Sequence, residues 1–296
     1  MLQKHEFNDR YYLTHTPRGE LSSVSGQRAG GALVLAFHGG GSTPLDMARF
    51  SGLTEAADRH GFAVVFPAGS GPSPEYLTWN AGSCCGHAAR HNVDDVAFIE
   101  LLLDELAMQL AFDPMRVYST GMSNGGMFCY RLAAAIPHRI AAIAAVAGCL
   151  AFEPPTLARP VPAMHFHGTA DEFVPYKGGA GLRSLRQIDF PSVEQTLCRW
   201  SDACGLSLHR EDPEPLAIRD HDKFPLGNDR SLKAKRIVYA KSHEEETIVE
   251  ICIEEGGHTW PGQAPLLGFL GKSLLSLSAN GTMWDFFERH HLALVP

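Results

Sequence analysis

The sequence predicts an α/β fold, with a mostly parallel central sheet and helices on both faces. Short apolar runs alternate with longer stretches of helical periodicity, the pattern of strands joined by helical crossovers. The runs are rich in Val, Ile, Leu and Ala and barely alternate with polar residues, as expected for strands covered on both sides. A chain of 296 residues can bury a sizeable core, and it contains no internal repeat and no low-complexity linker. One domain spanning residues 1–296 is therefore expected.

Taken in order, strands are expected at 11–15, 32–37, 62–66, 116–120, 140–146, 163–167, 236–240 and 248–253. A first helix is expected over 45–60. A second, over 93–110, places Val96, Ile99, Leu103, Leu106 and Leu110 on one stripe. Asn92 is its expected cap, and Asp94 and Asp95 suit its positive N-terminal end. A third helix follows Ser123, and a fourth spans 192–203 after Pro191. The last, over 280–291, carries Met283, Trp284, Phe286 and Phe287 and is expected to close the core. Its final histidines, His290 and His291, would place positive charge where a helix end favours it. Segment 178–184 is a Gly-rich loop, and 213–233 is expected to be a polar surface excursion.

Composition narrows the function classes. A net charge of −8, with no Lys/Arg cluster, argues against a nucleic-acid binder. The longest apolar runs are far too short to span a bilayer. The first residues, Met1 to Phe7, lack the apolar centre of a signal peptide. A cytoplasmic protein is expected from the chain as it stands, or a secreted one where a leader has been removed. Seven cysteines leave at least one thiol outside any intrachain pairing. Cys129, Cys149 and Cys252 sit in apolar segments and read as small buried hydrophobes. Cys198 and Cys204 are close enough in sequence to pair. Adjacent Cys84 and Cys85 could form a vicinal disulfide, which a reducing cytosol would disfavour. There is no H-E-x-x-H and no C-x-x-C, so neither a metal nor another cofactor is expected.

The chemistry centres on Gly121-Met122-Ser123-Asn124-Gly125, a G-x-S-x-G segment between an apolar run and a helical stretch. In that setting a sharp turn pushes a serine hydroxyl out at the top of a sheet. A serine needs a base within hydrogen-bond reach, and the base needs an orienting group. On such a sheet the partners follow in the order Ser, Asp, His. Asp171, in His167-Gly168-Thr169-Ala170-Asp171, and His258, in Gly256-Gly257-His258-Thr259-Trp260, each lie just past an apolar strand. Neighbouring Glu172 would point elsewhere. Stabilising an oxyanion takes backbone donors. One is expected from the Asn124 amide and another from His38-Gly39-Gly40-Gly41, with Gly40 favoured and Gly41 second. His165 and His167 alternate along a strand and are expected to be packed or hydrogen-bonded.

With these residues placed, the chain resembles the polyhydroxybutyrate depolymerase and feruloyl esterase-like group of carbohydrate esterase family one. The resemblance runs from Tyr11 to the C-terminal helix. Besides the segments above it rests on Trp79-Asn80-Ala81-Gly82-Ser83-Cys84-Cys85-Gly86, Val93-Asp94-Asp95-Val96, Gly257-His258-Thr259-Trp260-Pro261-Gly262 and Trp284-Asp285-Phe286-Phe287. It implies an α/β-hydrolase fold, nucleophile Ser123, acid Asp171 and base His258. The expected activity is hydrolysis of carboxylic esters: feruloyl or acetyl esters, or short hydroxyalkanoate oligomers. A serine peptidase of the same fold and a non-catalytic binding protein are the alternatives. Trp79, Cys84 or Cys85, Phe173 and Trp260 are expected to line the substrate pocket. The loop with Leu266, Leu267, Phe269 and Leu270 is expected either to shield the cleft mouth or to belong to the core. The expected partner is a small or oligomeric ester, not nucleic acid or membrane.

Overall fold

The computed structural model describes residues 1–17, 30–183, 188–208, 210–216, 232–242 and 245–292. The chain begins with β1 (Gln3–Phe7), β2 (Arg10–His15) and β3 (Gly31–Phe37), then α1 (Pro44–Ser51), α2 (Leu53–His60) and β4 (Ala63–Pro67). A short excursion follows, with β5 (Ser70–Ser73), β6 (Tyr76–Thr78) and α3 (Gly86–Arg90). The centre contains α4 (Asp95–Gln109), β7 (Phe112–Met122), α5 (Asn124–Ala135), β8 (Ala142–Val146) and β9 (Ala163–Gly168). After the two-residue strands β10 (Gly179–Ala180) and β11 (Asp189–Phe190) come α6 (Val193–Ala203), β12 (Glu214–Pro215), β13 (Ala234–Ser242), β14 (Glu245–Ile253) and α7 (Ala279–Phe287).

Ten strands form one sheet in the order β1-β2-β4-β3-β7-β8-β9-β14-β13-β12. The six from β4 to β14 are parallel to one another, and the outer strands pair antiparallel at both edges. All eight expected strands are present. The edge strand β1 was not expected, because it is short, polar and half exposed.

The two-residue period of a strand divides the core. Leu33, Leu35 and Phe37 of β3 pack with residues of α4, α5 and α6 on one face. Ala32, Val34 and Ala36 pack with α1, α2 and α7 on the other. Met283, Trp284, Phe286 and Phe287 are buried in that second layer, as expected.

Three helix expectations change. The stretch 45–60 is two helices, broken at Gly52 with φ +66. A Cβ there would lie 2.5 Å from Gln263 Nε2, while the Asn280 amide donates to the Ser51 carbonyl that ends α1. Asp94, not Asn92, caps α4, its Oδ1 accepting the Ala97 amide at 3.0 Å. The last helix begins after Ser278, whose Oγ accepts the Gly281 amide, and ends at Phe287. His290 is therefore beyond it, and burial pushes its imidazole down to about 4, so it is neutral at pH 7 and no helix-end cation. Most of segment 213–233 lies outside the described residues. No helix among the described residues is long and apolar enough to cross a membrane.

Candidate active site

Ser123 occupies the sharp turn between β7 and α5, with φ +56 and ψ −122. A side-chain-bearing residue at that φ is strained and must be held there by its surroundings. Its amide donates to the Val146 carbonyl at 2.8 Å, and its carbonyl accepts the Met127 amide at 2.9 Å. The flanking glycines have a steric reason. A Cβ on Gly121 would lie 2.6 Å from the Gly125 carbonyl carbon, and one on Gly125 would lie 2.3 Å from the Phe37 carbonyl oxygen. Only bare backbone lets the turn pack this close to β3.

Asp171 and His258 follow the carboxyl ends of β9 and β14, which are parallel neighbours. Parallel strands put these ends, and the end of β7, on one edge of the sheet. His258 Nδ1 lies 2.7 Å from Asp171 Oδ2. Oδ1 accepts the Phe173 amide at 2.8 Å and the Val174 amide at 2.9 Å. Burial alone would push the Asp171 carboxyl up. The electrostatic interaction with His258 and the hydrogen bonds from His167 and His258 outweigh it and hold the group well below the usual carboxylate range. A carboxylate can only accept, so His258 Nδ1 carries the proton and Nε2 is left to take one. The ring is fixed from outside as well: the His258 amide donates to the Leu270 carbonyl at 2.7 Å, and the Phe173 ring sits 5.1 Å away. His258 Nε2 and the Ser123 hydroxyl are not hydrogen-bonded to each other. In unliganded enzymes such bonds are often long and tighten when substrate arrives.

The loop after β3 separates the two glycines considered as donors. The Gly41 amide donates to the Leu77 carbonyl at 2.8 Å and so is not free for an oxyanion. The Gly40 amide has no acceptor among the described residues, and Gly40 borders the cleft beside Ser123 and Asn124. His38 pins this loop. Its Nδ1 donates to the Gly39 carbonyl at 2.8 Å, and its Nε2 accepts the Gly69 amide at 3.0 Å. Burial pushes that imidazole down to about 4, so it stays neutral.

A cleft of about 230 Å³ opens at Ser123. Cys85 and Phe173 line it, whereas Trp79, Cys84 and Trp260 do not. Trp79 is fully buried: its ring stacks on Phe128 at 4.9 Å and its Nε1 donates to the His38 carbonyl at 3.1 Å. It supports the loop from below rather than touching the cleft. Cys84 is fully buried, its sulfur joined to that of Cys85 in a vicinal disulfide. Cys198 and Cys204 are both free. Trp260 is buried in the opposite layer, donating to Asn280 Oδ1 at 3.0 Å. Met127, Val174, Ile188 and Phe190 supply an apolar wall that sequence reasoning missed. Leu266, Leu267 and Phe269 are about half exposed, with the Phe269 ring 6.1 Å from that of Phe173. That loop borders the mouth and is not core.

Two buried polar side chains have structural roles that sequence reasoning did not assign. The Asn124 side chain is tied to the Trp79 backbone, with Oδ1 accepting the Trp79 amide at 2.7 Å and Nδ2 donating to the Trp79 carbonyl at 2.9 Å. Asp95 accepts Arg10 Nη1 at 2.6 Å and the Asn80 amide at 2.7 Å. Together they tie segment 79–86, whose Cys85 and Gly86 line the cleft, to the Ser123 turn and to α4. Both stand inside quoted motifs, but no periodicity marks what their side chains hold.

A mostly parallel sheet carrying a strained serine turn, with Asp and His from later strand ends, defines a hydrolase-type α/β protein. The sequence profile of the α/β hydrolase fold matches residues 32–199. The chain belongs to the α/β-hydrolase family. It is 32% identical over 268 residues to NocK of Nocardia uniformis subsp. tsuyamanensis, named as an esterase, covering 86% of this chain and 71% of that one. It is 32% identical over 157 residues to feruloyl esterase B of Piromyces equi, covering 51% of this chain and 28% of that one. It is 26% identical over 265 residues to poly(3-hydroxyalkanoate) depolymerase C of Paucimonas lemoignei, covering 87% and 53%. The last two relatives are thus much longer than the part this chain spans. Among solved structures, an acetyl xylan esterase from Aspergillus awamori superposes with a TM-score of 0.60 at 15% identity, covering 97% of this chain and 99% of that one.

Proposed function

We propose that the protein is a serine esterase that cleaves carboxylic esters through an acyl-enzyme. Ser123 is the nucleophile, His258 the base and Asp171 the acid that orients it. The observation that supports this reading best is the 2.7 Å Asp171–His258 pair on the same sheet edge as the strained Ser123 turn. His258 Nε2 takes the Ser123 proton as Oγ attacks the ester carbonyl. Asp171 holds the ring and stabilises the imidazolium. The Asn124 and Gly40 amides receive the oxyanion, each donor being worth about 100-fold or more in rate. The alcohol leaves with the proton from His258, and water, deprotonated by the same nitrogen, releases the acid. The steps balance with water as the only co-reactant.

The names of the relatives suggest the ester classes: feruloyl, acetylxylan and hydroxyalkanoate. The wall of Met127, Phe173, Val174, Ile188 and Phe190 suits an acyl group larger and more apolar than acetyl. The test is Ser123→Ala with p-nitrophenyl acetate, followed by methyl ferulate, acetylated xylan and hydroxybutyrate oligomers compared on wild type. Turnover should vanish in the folded variant; retained hydrolysis by pure Ser123→Ala would end this reading. A larger kcat/KM for acetylated xylan than for the other two would refute the acyl-size argument.

A further inference from the structure

Behind Asp171 runs a line of buried hydrogen bonds that the acyl transfer above does not use. His165 and His167 are two residues apart on β9, so both rings leave the same face of the sheet and stack at 5.2 Å. Both are fully buried. The ends of the line fix its direction. The Val174 carbonyl can only accept, so His167 Nε2, 2.8 Å away, carries a proton. At the far end the Tyr130 hydroxyl is buried, and His165 Nδ1 at 3.0 Å is its partner. Burial keeps the hydroxyl protonated, and among the described residues its one hydrogen has no acceptor but His165 Nδ1, so the O–H donates there. His165 Nδ1 therefore accepts. His165 Nε2 then donates to His167 Nδ1 at 2.9 Å. Every proton in the line points toward Asp171.

His167 Nε2 also lies 3.3 Å from Asp171 Oδ2, the oxygen that His258 Nδ1 contacts at 2.7 Å. One carboxylate oxygen thus faces two imidazole donors, one from each side. The sulfur of Cys149 lies within 4.8 Å of ring nitrogens of both His165 and His167, the spacing of a metal-ligand trio. The ring lone pairs are already committed to hydrogen bonds, however, and burial pushes the Cys149 thiol up to about 12. The two rings act as a hydrogen-bonded pair, with the thiol beside them.

We infer that His167 is a positioning residue for Asp171, backed by His165 and Tyr130. Its shared Nε2–H restrains the carboxylate and takes up part of the charge on Oδ2 that would otherwise act on His258. This rests on the proposed role of Asp171. Without that proton the charge on Oδ2 favours the imidazolium of His258 more strongly, and the base would stay protonated to higher pH. Among the described residues, the other titratable groups around the rings are Glu250, Cys252, Cys149, Tyr176 and Tyr130. Glu250 is itself held by the Tyr176 and Tyr239 hydroxyls at 2.5 and 2.9 Å, and the Tyr176 ring lies 6.0 Å from His167.

The experiment compares His167→Leu, His167→Asn and His167→Gln in the full chain, with pH profiles of kcat/KM on a soluble p-nitrophenyl ester. Leu removes every contact. Asn can keep the contact to His165 but is too short to reach Asp171. Gln restores a donor near the Nε2 position. Leu and Asn should lower kcat about tenfold, since misplacing a catalytic group by about 1 Å costs up to about 100-fold. KM should stay within about twofold of wild type. Their acid limb should move up by roughly half a unit to one unit, and Gln should recover most of both effects. Thermal melts identify folded variants; if Leu does not fold, the Asn and Gln pair decides. An acid limb in folded His167→Asn that coincides with wild type would overturn the inference, as would a Gln limb displaced like that of Asn. Ser123→Ala in the same assay separates the two levels. Turnover there means the esterase reading has failed, whereas a dead Ser123→Ala beside an unmoved Asn limb means only the role of His167 has failed.

Discussion

Replacing Asn124 with alanine should destabilise the protein through a residue two chain segments share. The Asn124 side chain is 1% exposed and closes a two-bond clamp on the Trp79 backbone, at 2.7 and 2.9 Å. Alanine leaves the Trp79 N–H and C=O buried beside the Trp79–Phe128 stack with no partner. Each unpaired group costs about 1–3 kcal/mol, so the loss should be about 2–6 kcal/mol. With an unfolding entropy of about 2.1 cal/mol/K per residue, a chain of this size loses roughly 1.5 °C of melting temperature per kcal/mol. The expected fall is therefore roughly 3–9 °C by calorimetry. Urea unfolding should show a lower midpoint with an unchanged slope. Since Cys85 and Gly86 of the same segment line the cleft, KM should rise as well. A melting temperature within 1 °C of wild type, at about the precision of such scans, would refute the reasoning.

Other outcomes follow from the same geometry. Gly125→Ala should cost about 2 kcal/mol or more, because its Cβ would meet the Phe37 and His38 carbonyl oxygens at 2.3 and 2.6 Å and backbone cannot step aside; an unaltered urea midpoint would contradict this. The Asp171 carboxyl, held below its unfolded value, contributes stability that is fully present above about pH 4 and is lost as pH falls further. The stability difference between wild type and Asp171→Asn should therefore shrink below that pH, and a difference constant from pH 7 to 3 would argue against it. Denatured, unreduced protein should titrate five thiols, from Cys129, Cys149, Cys198, Cys204 and Cys252; seven would disprove the Cys84–Cys85 bond.

The sequence by itself determined the α/β architecture, the eight main strands and the sharp turn at Ser123. Each of these is written locally: runs of Val, Ile and Leu specify a strand covered on both faces, and glycines on either side of a serine permit a turn that other residues would block. Local signals also carried the reading of Ser123, Asp171 and His258 as the proposed catalytic residues, because each follows its own strand. Helix ends were less legible, since Gly52 breaks a continuous pattern only because Gln263 and Asn280 crowd it from more than two hundred residues away. The tertiary structure decided which residues face the cleft. Trp79 looked like a pocket wall from its neighbours, but its ring is drawn into the core by Phe128 and the His38 carbonyl. Gly41 looked equivalent to Gly40 until Leu77 took up its amide. The hydrogen-bond line through His165 and His167 exists because α5 brings Tyr130 against β9 and the loop after it returns Asp171 and Val174 to the same rings. Strand periodicity could say that those histidines share a face, but what they touch depends on segments that meet only when the sheet is assembled.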